Sequence, residues 1–164
     1  MNSAHIHLVV THLPIFGTFF GIFILLYGMI KKNIDAKLIS YGIFIISAVG
    51  AGIAYATGEE AEEIVEELPG VMESIIDKHE QFATYSLIGI IVLGVVALAG
   101  ILTSKGSCLF NKWTTLSAFS IGMICFLLFA RTGYLGGQIR HTEVRNGAII
   151  QQSGHGEQGE KEDD

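Results

Sequence analysis

The sequence predicts an all-α protein: a four-helix transmembrane bundle with an extracytoplasmic helical hairpin between its second and third helices. Three observations lead there. Half of the 164 residues are hydrophobic, and the mean hydropathy is +0.50. Only 16% are charged, against about a quarter in ordinary soluble domains. The apolar residues also gather into four uncharged runs, 13–30, 38–56, 83–102 and 113–130, each close to the ~20 residues that cross a bilayer core. Lipid offers a peptide group no hydrogen-bond partner, so each run must satisfy its own backbone as a helix. Residues 1–145 then form the membrane domain. Residues 146–164 form a polar tail whose Gly, Gln and charge content predicts disorder. No internal repeat is visible in the residues themselves.

The first helix starts near Ser3 or Ala4 and runs to Ile30. A kink is expected at Pro14, whose ring removes an amide donor and leaves the carbonyl of Val10 without its helical partner. The first twelve residues hold no Lys or Arg, and no small-residue cleavage site follows. The segment therefore reads as a span and not as a cleavable signal. The second helix runs from about Leu38 to Thr57, and its segment AVGAGIA lets another helix or a flat ligand approach closely. GEEAEEIVEELPG reads as an amphipathic helix ending at Pro69–Gly70, with Ile64, Val65 and Leu68 as its apolar side. VMESIIDKHEQF begins a new helix that flows into the third span. The fourth helix runs from Trp113 past Gly136 and Gly137, and continues through Arg145.

Lysines set the expected orientation. Lys31, Lys32 and Lys37 lie in the loop between spans one and two, and Lys105 and Lys112 in that between three and four. The central loop holds only Lys78. The first and last loops are therefore predicted to be cytoplasmic, with the N-terminus, central loop and C-terminus outside. Cys108 would face the reducing side and Cys125 lies within a span, so no disulfide is expected. No C-x-x-C-H occurs, which excludes covalent c-type haem attachment. The net charge is −6, and residues 59–80 carry nine carboxylates and one lysine. That acidic outer face is unsuited to nucleic acid.

This topology brings scarce polar groups to one membrane surface. His12 lies at the start of span one, Glu59, Glu60 and Glu63 just after span two, His79 and Glu80 before span three. Arg131, Tyr134, Gln138 and His141 lie towards the end of span four. At ~100° per residue, His5 and His12 share one helix face while His7 points away from it. Arg131, Tyr134, Gln138, His141 and Arg145 form one stripe, expected to face the bundle, with Arg131 needing an anionic partner.

Imidazoles so placed can ligate a metal or haem iron, move protons, or satisfy local hydrogen bonds. A b-type haem requires two axial histidines, apolar ring walls, small residues for room, and cationic or hydroxyl groups for its propionates. Candidate walls are Phe16, Phe19 and Phe20. Candidate space comes from Gly17, Gly21, Gly50, Gly52, Gly136 and Gly137, and propionate partners from Arg131, Tyr134 and Arg140. A transition-metal ion would instead combine His12, His79 and His141 with Glu59, Glu60, Glu63 or Glu80. No His has Glu three residues before it, which counts against a bundle di-iron site. The bland readings are an interfacial anchor for His5 and His155, a solvated face for the glutamates, and packing for the glycines and phenylalanines.

HLVVTHLP, with His7 and His12 five apart and Pro14 following, resembles the opening of an uncharacterised family of bacterial four-helix membrane proteins often written HPLLVHFP. GYLGGQIRHTEV, 133–144, resembles that family's Gly-Gly-x-Leu-Val-Tyr-x-His-Gly segment near the end of helix four, and His79 fits a histidine before helix three. The resemblance spans residues 5–144. It departs at Leu13, where Phe is usual, and at Arg140 and Thr142 beside His141. It implies a bacterial cytoplasmic membrane, and a redox role through relatives joined to cytochrome-like domains. It also gives His7 a claim that helical phase does not.

The first expectation is a small membrane redox protein holding haem b near the outer surface and passing electrons between membrane carriers and an external partner. His12 and His79 are its expected ligands, His141 or His7 competes, and Arg131 and Tyr134 meet an anion or the propionates. The number of haems is open. Alternatives are a metal-ion handler using His and Glu, or a structural subunit of a larger membrane complex. No nucleophile motif suggests a hydrolase.

Overall fold

The computed structural model describes residues 3–66, 71–104 and 108–140. Every element among them is a helix: α1 (Ser3–Val10), α2 (His12–Ile30), α3 (Ile34–Ala56), α4 (Gly58–Glu66), α5 (Glu73–Leu102) and α6 (Cys108–Arg140). Four helical stretches are long and apolar enough to cross a membrane: His5–Ile30, Ile34–Ala56, Glu73–Leu102 and Lys112–Ile139. The chain is thus an all-helical, multi-pass membrane protein. The predicted tail, His141 and the end of the amphipathic segment at Pro69–Gly70 lie outside the described residues.

The spans form a ring in which α2 packs on α3, α3 on α5, α5 on α6 and α6 back on α2. α1 lies against α3 and α4 at one end. Inside the ring, Leu25, Phe44, Ile90, Leu93, Ala97, Ala118 and Cys125 are completely buried. Large apolar side chains such as Phe20, Ile46, Val95 and Leu127 are exposed around the whole circumference. Outward-facing apolar side chains on every span are what a lipid solvent permits and water does not.

The helix is interrupted at Thr11, between α1 and α2, in the turn before Pro14. Pro14 cannot donate to the Val10 carbonyl, and in the turn before it two side chains bond the backbone. The Leu8 carbonyl accepts from Thr11 Oγ1 at 3.0 Å and from His12 Nδ1 at 2.6 Å. The turn joining α2 to α3 is closed by the Asn33 amide donating to the Gly28 carbonyl at 3.0 Å and the Lys32 amide donating to Met29 at 3.4 Å. Lys32 takes the left-handed conformation at φ 52, the position that glycine usually fills at a helix C-terminus. Asn33 then caps α3, its side chain accepting from the Ala36 amide at 2.9 Å.

Small residues set the helix spacing. A Cβ on Gly100 would come within 2.6 Å of the Tyr41 ring, and one on Gly21 within 2.5 Å of Phe44. The space at Gly17 and Gly50 is taken by Ser47 and Leu13. These glycines serve helix packing, so among the expected cofactor-space residues Gly17, Gly21 and Gly50 are already filled. Gly52 and Gly137 open onto free space.

Candidate functional site

Two histidines are seated alike, at the same end of the bundle. His7, on α1, donates from Nδ1 to the Ala54 carbonyl in the last turn of α3 at 2.8 Å. That carbonyl is one of the four that a helix C-terminus leaves without an intrahelical partner, and Thr57 Oγ1 also donates to it at 3.1 Å. His79, on α5, donates from Nδ1 to the Thr132 carbonyl of α6 at 3.0 Å. Both rings are partly buried.

The acceptor fixes the tautomer. A carbonyl oxygen cannot donate, so each Nδ1 carries the proton and each Nε2 presents a lone pair. A glycine lies beside each ring, in tight contact at His79 and in ordinary contact at His7. A Cβ at Gly136 would stand 3.1 Å from His79 Cε1, and one at Gly58 3.5 Å from His7 Cε1. Behind His79, Thr132 is held by its own hydroxyl, which donates to the Leu128 carbonyl at 2.9 Å and lies 3.1 Å from Ser86 Oγ.

His12 is placed differently from the expectation. It is exposed, turned back onto the Leu8 carbonyl, and stacked on Phe16 with ring centres 6.1 Å apart. The structure thus seats His7 and His79 on backbone carbonyls at one end of the bundle, with His12 on the outer surface. Phe16 and Phe20 are exposed and stack along that same surface. Phe19 packs on Phe126, with ring centres 5.5 Å apart.

The polar stripe of the fourth span also faces the other way. Arg131 and Tyr134 are exposed, and the inward face of that helix is Ala118, Gly122, Cys125 and Phe129. The Arg131 guanidinium lies over the rings of Phe82 and Tyr134, 5.7 and 5.4 Å from their centres. Gln138 Nε2 donates to the Tyr134 hydroxyl at 2.9 Å. Glu59, Glu60, Glu63 and Glu80 are all exposed. Among the described residues no group of three or more His, Cys, Asp or Glu side chains is arranged to hold a metal ion. His141, Arg145 and the side chain of Arg140 lie outside those residues.

The sequence reading missed Ala54, Thr132 and Gly58 as parts of the two seats. The only available signal was a carbonyl-bearing small or hydroxyl residue four positions before a glycine, in AYATG and TGYLG. That spacing has meaning only once a histidine is known to face it. No protein-family model matches the sequence, and no match was found among curated proteins or solved structures. The four-helix membrane class therefore rests on the helices themselves, and the family resemblance rests on the two motifs.

Proposed function

We propose that the protein is a small membrane redox protein that binds a b-type haem between His7 and His79, at the end of the bundle that faces out of the cytoplasm. The observation that carries this reading is the pair of imidazoles, each with Nδ1 held by a backbone carbonyl and Nε2 left as a ligand. Ligating histidines usually donate their other nitrogen to a carbonyl or carboxylate, which orients the ring and strengthens the ligand. The donor set discriminates between cofactors. A zinc or copper ion takes three or four protein ligands. A haem brings four nitrogens of its own, so two histidines suffice to complete a six-coordinate iron.

The haem, when bound, supplies a one-electron iron couple. The chain's own residues prepare for it. Ala54 and Thr132 keep both rings in the ligating tautomer, Gly136 lets the His79 ring approach α6, and the surrounding spans keep bulk water from the core. The lysines at the opposite end support a cytoplasmic orientation for that end in a bacterial cell. Electrons would pass between membrane carriers and a partner outside.

The test is the reduced-minus-oxidised spectrum of the protein purified in detergent with added haem. A low-spin α-band is expected in the parent and in His12→Ala, and is expected to be lost in His7→Ala and His79→Ala. No α-band in the parent would sink the reading. Orientation is tested separately, by single cysteines at Glu59 and Lys32. The first should react with an impermeant maleimide in intact cells, the second only after the membrane is opened.

A further inference from the structure

The two histidine seats are related by a regularity that runs through the whole membrane domain. Moving 72 residues along the chain carries His7 onto His79. The same shift carries the inward positions of α2 (Pro14, Thr18, Gly21, Leu25 and Gly28) onto Ser86, Ile90, Leu93, Ala97 and Gly100, the inward positions of α5. Ile22 falls on Gly94, which packs on Ala48. A shift of 78 carries Ser40, Phe44, Ser47 and Ala51 of α3 onto Ala118, Gly122, Cys125 and Phe129 of α6, buried in their turn.

Matching buried faces would mean little alone, because any two helices can be slid until their inner faces coincide. The weight lies in what the same two shifts also carry. They take Ala54, the acceptor of His7, onto Thr132, the acceptor of His79. Gly58, beside the first ring, goes onto Gly136, beside the second. The contact of Gly17 with Ser47 goes onto that of Gly89 with Cys125. The ring of helices obeys the same operation: α2 on α3 becomes α5 on α6, and α3 on α5 becomes α6 on α2. Equivalent helices run in the same direction, so the relation is a parallel repeat about an axis along the bundle. Few residues are identical under it, which hides it from the sequence: His7 and His79, Gly17 and Gly89, Gly28 and Gly100, Gly58 and Gly136 are among those few.

We infer that the membrane domain is a tandem of two equivalent helical hairpins, and that the two histidine seats are the symmetry-related halves of one site, which takes a single metal porphyrin per chain. This rests on the haem reading above for the identity of the ligand. The pairing of the seats does not. Gly58 and Gly136 act as equivalent positioning residues, each for the ring beside it.

The experiment uses the full chain, labelled with ¹⁵N-histidine in detergent, first without haem. Two rings in the Nδ1–H tautomer are expected. Gly58→Val should shift only the His7 ring and Gly136→Val only the His79 ring, the untouched ring reporting that the bundle is folded. Gly136→Ala is the milder variant should the valine fail to fold. Hemin should then saturate the parent at one equivalent, and each glycine variant should bind about 10-fold or more weakly.

Rings in the other tautomer, or a glycine variant that moves both rings or neither, overturn the paired seats. A titration ending at two equivalents overturns the single site. Ring signals as expected with no hemin bound support the paired seats and overturn both the porphyrin assignment and the haem reading of the function.

Discussion

His7 and His12 differ in placement because of which side of the helix turns inward, and helical phase does not carry that information. Phase states that His5 and His12 share a face and His7 does not. In a water-soluble helix the polar face would be the outer one. Here both faces of the span are apolar, because one meets the bundle and the other meets lipid, so the usual contrast is absent. His12→Ala should therefore be mild. The Leu8 carbonyl keeps the Thr11 hydroxyl, and the loss should be about 1 kcal/mol or less by denaturant unfolding in detergent. Thr18 makes an opposite prediction. It is completely buried, and its hydroxyl has no partner. Thr18→Val, which has the same shape, should stabilise the protein by about 1–3 kcal/mol in the same assay.

Within the elements, glycine positions and one turn carry most of the specificity. Gly100 faces the Tyr41 ring, which is 1% exposed and cannot swing away. Gly42 faces nothing within 4 Å. Gly100→Ala should destabilise by about 1–3 kcal/mol through overpacking, while Gly42→Ala should gain up to about 1 kcal/mol from helix propensity. The same thermal scan compares them. Lys32, left-handed at φ 52, gives a third case. Lys32→Gly should raise stability by about 1 kcal/mol by relieving the Cβ clash. The exposed Arg131 also has an element-scale explanation. It stands 19 residues after Lys112 on one helix, about 28 Å at 1.5 Å per residue. A guanidinium so placed sits near the boundary opposite the lysine, where it can reach headgroups, and the Phe82 and Tyr134 rings hold it there.

At the scale of the whole molecule, the solvent is lipid around the ring and the core is a narrow seam inside it. Trp113, the single tryptophan, is 63% exposed in the first turn of its span, next to Lys112. Its fluorescence should be quenched more strongly by lipids brominated near the headgroup than by lipids brominated at the chain end. Equal quenching at both depths would contradict this placement. The fold class and all four spans were legible because bilayer thickness and backbone satisfaction leave few alternatives to a run of ~20 apolar residues. The interruption before Pro14 was legible too, because proline acts on its own ladder. The candidate site was legible only in part. The level of its imidazoles in the bundle could be read. Its second ring could not be read from phase, and its carbonyl seats could not be read at all, since a backbone acceptor leaves no mark in residue identity.

By itself, then, the sequence determined that the chain is helical, how many times it can cross a bilayer, and which end of the bundle collects the imidazoles. Each follows from local rules of hydropathy, charge and helix length. The tertiary structure decided that His7 and His79 are seated on helix carbonyls while His12 and Arg131 face outward, and that two dissimilar hairpins pack in one register. Facing is a relation between helices. In a chain apolar on every side, only the close fit of glycines against Ser47, Phe44, Tyr41 and Cys125 fixes which side that is.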